Sequence, residues 1–274
     1  MKNIWKNLKK VLETLLLIFG VLGIGFIGGI AKPVYDNLPW VYRGAFEEKI
    51  ESIKPTQSYE YIKSILEEAQ VSEKMEFPLE NGEIEIGTRK IWANELYTTV
   101  GYFRKDNSLY GYIVISQDEK FQPKIGSDFY NKNGFGNLTK TNFIDAHEKS
   151  KCYIDTVKGF YTSNVLCSSY YMELYDFNRS DFCYGLAITN LGVDNKYQIN
   201  QEFYKVNSLP KFKIGETIDV DNPIENEKYK PYRELIPNAM MVFNNRCDIK
   251  FTEFIEIITK DGLAISYSDL RRLY

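Results

Sequence analysis

Few side chains of this 274-residue chain are of types that carry chemistry by themselves. Its single histidine, His147, lies in Asp145-Ala146-His147-Glu148, where flanking acids could let an imidazole work as a general base near neutral pH. No nucleophile motif accompanies it and there is no Gly-x-Ser-x-Gly elbow, so a solvated histidine in a polar turn is the reading the sequence favours. The four cysteines, Cys152, Cys167, Cys183 and Cys247, have no Cys-x-x-Cys spacing, and with one histidine they do not make a zinc cluster. Their even number allows two disulfides outside the cytoplasm; isolated, partly buried thiols are the alternative. Asp219, Asp221, Asn222, Glu225 and Glu227 could gather oxygen ligands for Ca²⁺, but they miss the spacing of a calcium loop, which favours a solvated acidic loop. Gly134-Phe135-Gly136-Asn137-Leu138-Thr139 lacks the Gly-Lys-Ser/Thr of a phosphate loop and reads as a turn; Asn137-Leu138-Thr139 is also a glycosylation sequon. The sequence thus names no catalytic residue, no cofactor and no metal site. The tyrosine-rich stretches 96–112 and 159–184 could form an aromatic binding face, although strand packing is the commoner use of such rings.

The elements that must position these residues begin with a membrane segment. Thr14 to Ala31 is uncharged and apolar, close to the roughly 20 residues needed to cross a bilayer. Lys32-Pro33 ends it, and Tyr35, Trp40 and Tyr42 suit an interfacial belt. Lys2, Lys6, Lys9 and Lys10 precede the span, so the positive-inside rule puts the N-terminus in the cytoplasm and residues 33–274 outside, in the periplasm or beyond the cell, on a single-pass anchor in a bacterial inner membrane. Cleavage after Ala31 is the rival, since Gly29 and Ala31 are small, but the apolar run is longer than a signal-peptide core. Gly25, Gly28 and Gly29 offer small-residue spacing for helix self-association, and hence for a homo-oligomer.

The remainder divides into a juxtamembrane helix and linker over 33–56 and an α+β region over 57–274, which could be two halves meeting near 140–150. Gly44–Ile53 and a helix near 57–70, capped by Thr56 or Ser58, come first. A polar link through Pro78 and Asn81-Gly82 leads to a strand over Ile84–Trp92 and a hairpin over 95–117, turning at Lys105–Ser108. After a loop-rich stretch, 118–142, Thr141–Glu148 has room for a helical turn or two. Tyr161–Asp176 and Phe182–Leu191 form a second hairpin, 207–231 is irregular, and Ile236–Phe243 is a strand. Phe254–Thr259 reads as a strand, while Phe251, Phe254, Ile255 and Ile258 also fit a helix, and a helical turn follows over Asp269–Leu273. Short connections imply antiparallel pairing, so the expectation is an antiparallel sheet with helices packed on one face.

Ser58-Tyr59-Glu60-Tyr61-Ile62, Phe121-Gln122-Pro123, Tyr170-Tyr171-Met172-Glu173-Leu174-Tyr175, Tyr184-Gly185-Leu186-Ala187-Ile188 and Ile236-Pro237-Asn238 together resemble a family of bacterial proteins with one N-terminal membrane helix and a domain of unknown function, first catalogued from an enterotoxigenic Escherichia coli locus. The likeness covers most of residues 41–274. The chain departs from the family pattern at Ala239, where Thr before an aromatic is favoured. The resemblance implies a membrane location and carries no activity across.

The soluble part is more acidic than the net charge of −3 for the whole chain, because residues 1–32 hold five lysines and one acid; nucleic acid is therefore an unlikely partner. The expected function is a membrane-anchored, non-enzymatic binding or sensing domain acting through protein contacts at the cell envelope. Two alternatives stand beside it: a membrane effector of a bacterial defence or toxicity system acting through helix self-association, and a carboxylate-based hydrolase of envelope glycans, whose acid pair would be invisible in sequence.

Overall fold

The computed structural model describes residues 39–126, 134–150, 156–164, 168–176, 182–188, 209, 216–219, 222–244 and 246–260. The expected membrane segment 14–31, with Gly25, Gly28 and Gly29, lies outside them, as do Cys152, Cys167 and the expected turn over Asp269–Leu273. Among the described residues no helix is long and apolar enough to cross a membrane. The chain parts into two units, 1–46 and 47–274. In the first, the described residues belong to the start of helix α1 (Pro39–Ser52), where Tyr42 and Phe46 meet edge to face, one turn apart.

The second unit is built on α+β lines. Helix α2 (Tyr59–Leu66) starts where Ser58, in extended conformation, accepts from the Tyr61 amide. It is shorter than the apolar pattern suggests, because Glu67 takes a positive φ of 70° and turns the chain into strand β1 (Val71–Pro78). β2 (Ile84–Ala93), β3 (Tyr97–Phe103) and β4 (Leu109–Ser116) continue as a meander. A two-residue ladder, β5 (Lys124–Ile125) with β6 (Gly136–Asn137), precedes α3 (Phe143–Ser150). Then come β7 (Thr156–Asn164), β8 (Ser168–Asp176), β9 (Phe182–Ile188), β10 (Glu216–Asp219), α4 (Pro223–Arg233), β11 (Ala239–Asn244) and α5 (Phe251–Lys260).

Nine of the strands make one sheet in the order β1-β2-β3-β4-β11-β9-β8-β7-β10, each pairing antiparallel. β11 comes late in the chain yet lies at the centre, between β4 and β9. Residues on either side of 140–150 therefore share one sheet.

The antiparallel α+β architecture is as expected, but the helices cover both faces. Alternation along the strands decides this. On one face Phe77, Ile91, Val100, Tyr102, Ile113, Met241 and Phe243 join Phe254, Ile255 and Ile258 of α5 in a single core. The Phe254 ring stacks on Phe77 and meets Tyr102 and Tyr110 edge to face, at 5.3 and 4.9 Å between centroids. On the other face, Tyr112 donates to the Ile53 carbonyl and Trp92 to that of Glu67, below the ends of α1 and α2. Phe143 of α3 and Tyr232 of α4 contact Tyr171 on the same side. Every residue of β3 and β4 is buried, as a strand covered from both sides must be.

The strand expected over Tyr161–Asp176 is two strands, β7 and β8, paired antiparallel, and three further elements differ from the sequence expectation for identifiable reasons. β1 was read as a polar link because Glu73 breaks its apolar alternation; in the fold Glu73 pairs with Arg89 of β2, directly opposite it. Residues 207–231 include most of α4, whose Pro223 occupies the first turn behind the Asn222 cap and whose Pro231 lies inside the helix. α5 follows its helical period, not its β-branched composition. The packing is tight where strands cross: a Cβ at Gly111 would lie 2.1 Å from the Phe243 ring and 2.7 Å from the Val242 carbonyl oxygen.

Candidate functional site

On β8, residues 171, 173 and 175 share one face by the two-residue period. Met172 and Leu174 turn to the α5 core. Tyr171, Glu173 and Tyr175 turn to the opposite side, beneath α3 and α4. Glu173 is fully buried, and its carboxylate takes three donors: Tyr171 Oη at 2.7 Å and Arg233 Nε at 2.7 Å on Oε1, and Tyr175 Oη at 2.9 Å on Oε2.

Arg233 reaches this point from the last turn of α4 and is 1% exposed. Its other nitrogens are used as well. Nη1 donates to Asn226 Oδ1 at 2.6 Å, two turns back on the same helix, and Nη2 lies 2.7 Å from Nδ1 of His147 on α3. Burial works against the Arg233 charge, but the adjoining Glu173 carboxylate outweighs it and holds the guanidinium above its ordinary value. Burial, and then the Glu173 charge, push the Tyr171 and Tyr175 phenols well above theirs, so both stay protonated donors.

His147 is therefore not a solvated histidine in a polar turn. It is 5% exposed in the last turn of α3, a helix begun by Asn142, whose side-chain oxygen accepts the Asp145 amide at 2.7 Å. Asp145 and Glu148, the acids beside it in sequence, point outward; the helix period separates them from its face. Its partner is a cation 86 residues away in sequence. The sequence carried one signal for this cluster, Tyr171-x-Glu173-x-Tyr175 on a strand, which places a carboxylate on a ring-lined face and demands a buried cation. Nothing local identifies Arg233, which falls between the stretch 207–231, irregular by sequence, and the expected strand Ile236–Phe243.

Chemically, the arrangement is a closed network. Charges neutralise one another, each Arg233 nitrogen has a named acceptor, and the side chains fill the layer between sheet and helices. The other sequence candidates have structural uses. Asn222 caps α4 by accepting the Ile224 amide, and Glu227 is exposed beside Lys230. No group of three His, Cys, Asp or Glu side chains suited to a metal ion occurs among the described residues. In the 134–139 turn, Phe135 and Leu138 are buried and Gly134 and Gly136 take positive φ. The sequon's Asn137 Nδ2 donates to the Gln122 carbonyl at 2.8 Å. Cys183 is buried, its Sγ 3.5 Å from the Tyr175 carbonyl, and burial pushes the Cys247 thiol up. Tyr97, Tyr102, Tyr110, Tyr112, Tyr171, Tyr175 and Tyr184 are all buried, so these rings serve packing and not an aromatic binding face.

Surface apolar groups gather elsewhere. Ile84 and Ile86 on β2 are 60% and 48% exposed, on the face opposite α5 and beside the outermost strand β1. Set against protein-family models, curated proteins and solved structures, the chain matches none.

Proposed function

We propose that this protein is a membrane-tethered, non-enzymatic binding or sensing domain, anchored through residues 14–31 and acting through protein contacts at the cell envelope; the family resemblance agrees with the membrane location alone. The observation that supports it most is the closed Glu173–Arg233–His147 network. Among the described residues, Glu173, Arg233 and the single histidine are committed to one another beneath two helices, where they hold the fold together. Ile84 and Ile86 supply exposed apolar surface of the kind protein contacts use. The small-residue run Gly25, Gly28 and Gly29 would join copies within the membrane.

The test has two arms. Membrane-impermeant thiol labelling of intact cells, with a denatured control, reports which side of the membrane holds the domain. Photoreactive residues at Ile84, Ile86, Tyr61 and Ile224 report what touches it. The reading expects full-length protein labelled from outside and a discrete protein adduct at Ile84 and Ile86 that Ile86→Glu abolishes. Labelling only after lysis, or turnover of envelope glycan by the purified domain, would overturn it.

A further inference from the structure

β1 is the outermost strand of the sheet, and β2 pairs with one side of its backbone only. Peptide groups point alternately to the two sides of a strand. The Leu79 amide donates to the Glu83 carbonyl, back toward the start of β2, so Pro78 and Glu80 face outward. There the chain supplies its own partner. Leu79 lies opposite Ile249 in an antiparallel bridge, Lys250 donates to the Pro78 carbonyl at 2.8 Å, and Glu80 donates to the Asp248 carbonyl at 2.7 Å. This line ends at Lys250, because Phe251 starts α5. By the same alternation Ser72, Lys74 and Glu76 turn their amides and carbonyls outward. All three are exposed, and among the described residues nothing pairs with those groups.

A second copy of this chain does not fit that edge. Setting Lys74 opposite the copy's Glu76 in an antiparallel pair brings the copy's Ser72 to the place opposite Pro78, which Lys250 holds. The registers two residues to either side set Lys74 against Lys74 or Glu76 against Glu76, and like charges directly opposite are unfavourable. We propose that the outer edge of β1 over Ser72–Glu76 is a strand-addition site for an extended segment of a different protein, which pairs antiparallel and carries a basic residue opposite Glu76 and, two residues on, an acidic residue opposite Lys74.

The segment's main chain completes the bare donors and acceptors, and its two charged side chains decide which segment is taken. An uncharged strand leaves Lys74 and Glu76 without counter-charges, and a like-charged one is repelled, so the charges that guard the edge also make it selective. The segment's intervening residues fall on the α5 side, beside the buried Met75. Its charged residues fall on the other side, where Glu76 and Pro78 lie directly opposite the exposed Ile86 and Ile84. A side chain beside Glu76 is one strand away from Ile86, so the exposed isoleucines extend the same site. The inference deepens the protein-contact reading, on which it rests, by giving the kind of partner and the place where it joins.

The experiment uses the full chain in detergent micelles and two synthetic peptides. Val-Lys-Val-Glu-Val-Thr-Val matches the edge when antiparallel; Val-Glu-Val-Lys-Val-Thr-Val has the same composition with the charges exchanged. Hydrogen exchange is followed at single backbone amides. The first peptide is expected to slow exchange at Ser72, Lys74 and Glu76 about tenfold or more, while Glu73 and Met75, which face β2, keep their rates. The second peptide is expected to protect none of them. Combining Lys74→Glu with Glu76→Lys, both at exposed positions, is expected to reverse the preference. Protection by neither peptide, equal protection by both, or a preference that the exchanged variant does not reverse would each overturn the site. The first two outcomes are read on the unaltered chain and do not depend on the variant folding. A protein adduct at Ile84 and Ile86 with no protection of the edge would sink strand addition and leave the protein-contact reading standing. Protection of the edge with no adduct in cells would support the site and count against that reading.

Discussion

Arg233 and Glu173 illustrate how little a buried ion pair says about stability and how much about uniqueness. Taking both charges out of water is costly, and the network returns that cost through its hydrogen bonds. Removing one partner leaves the other charge buried alone. Arg233→Leu or Glu173→Gln should lower unfolding free energy by about 3–5 kcal/mol, measured by urea titration. The double variant should recover part of the loss, and near-additive losses would contradict the pairing. Glu85 makes the pH-dependent counterpart. Arg104 grips it through Nε at 3.1 Å and Nη2 at 2.8 Å, which together hold its carboxyl below the usual carboxylate range against the effect of burial. A lowered folded-state value contributes stability above the unfolded value, near pH 4.3, which is lost as pH falls through the folded one. Glu85→Gln should therefore cost about 2 kcal/mol near pH 7 and markedly less near pH 3, in paired urea titrations. At this scale the sequence showed residue types but not partners. His147 and Arg233 are 86 positions apart, and the acids next to His147 in sequence are not next to it in space.

Elements were legible where the apolar period was clean. The 97–103/109–116 hairpin lies where its alternation and its Asp106-Asn107-Ser108 turn put it, with Asn107 at a φ of 64°. Ser58→Ala should remove about 1 kcal/mol of α2 stability by leaving the Tyr61 amide without its side-chain acceptor, read from the urea midpoint. Legibility failed where polar residues serve as internal partners or helices contain proline, as in β1 and α4. The helices-on-one-face expectation failed because the second buried face of β3 and β4 mixes Tyr97, Phe103 and Val114 with Thr99, Gly101, Tyr112 and Ser116, small or polar groups that composition alone reads as outward. β1 also shows how an edge is protected. It is outermost in the sheet, and its exposed Ser72, Lys74 and Glu76 stand beside the exposed Ile84 and Ile86. Charges there oppose strand-to-strand association. Replacing Lys74 and Glu76 by Val should convert monodisperse protein into higher aggregates in light scattering, with the urea midpoint little changed.

Over the whole molecule, the central placement of β11 makes the two sides of the sheet interdependent. Without residues 239–260, β4 and β9 face each other bare, and Phe77, Tyr102 and Tyr110 lose the Phe254 ring. A chain ending near residue 140 should therefore show no cooperative thermal transition by near-ultraviolet circular dichroism, although it contains the whole β1–β4 meander. Phe254→Ala should cost about 3–5 kcal/mol and lower one common transition for all probes, since its ring touches both β1 and β11.

That topology also sets the timetable of biosynthesis. A ribosome delivers β4 more than a hundred residues before the strand that completes its pairing. From the completion of β9 until β11 is made, the nascent chain holds two apolar strand edges apart with nothing to join them, a state that attracts holding chaperones and resists premature closure. Late closure means that the domain can shut only once almost all of its chain has been made.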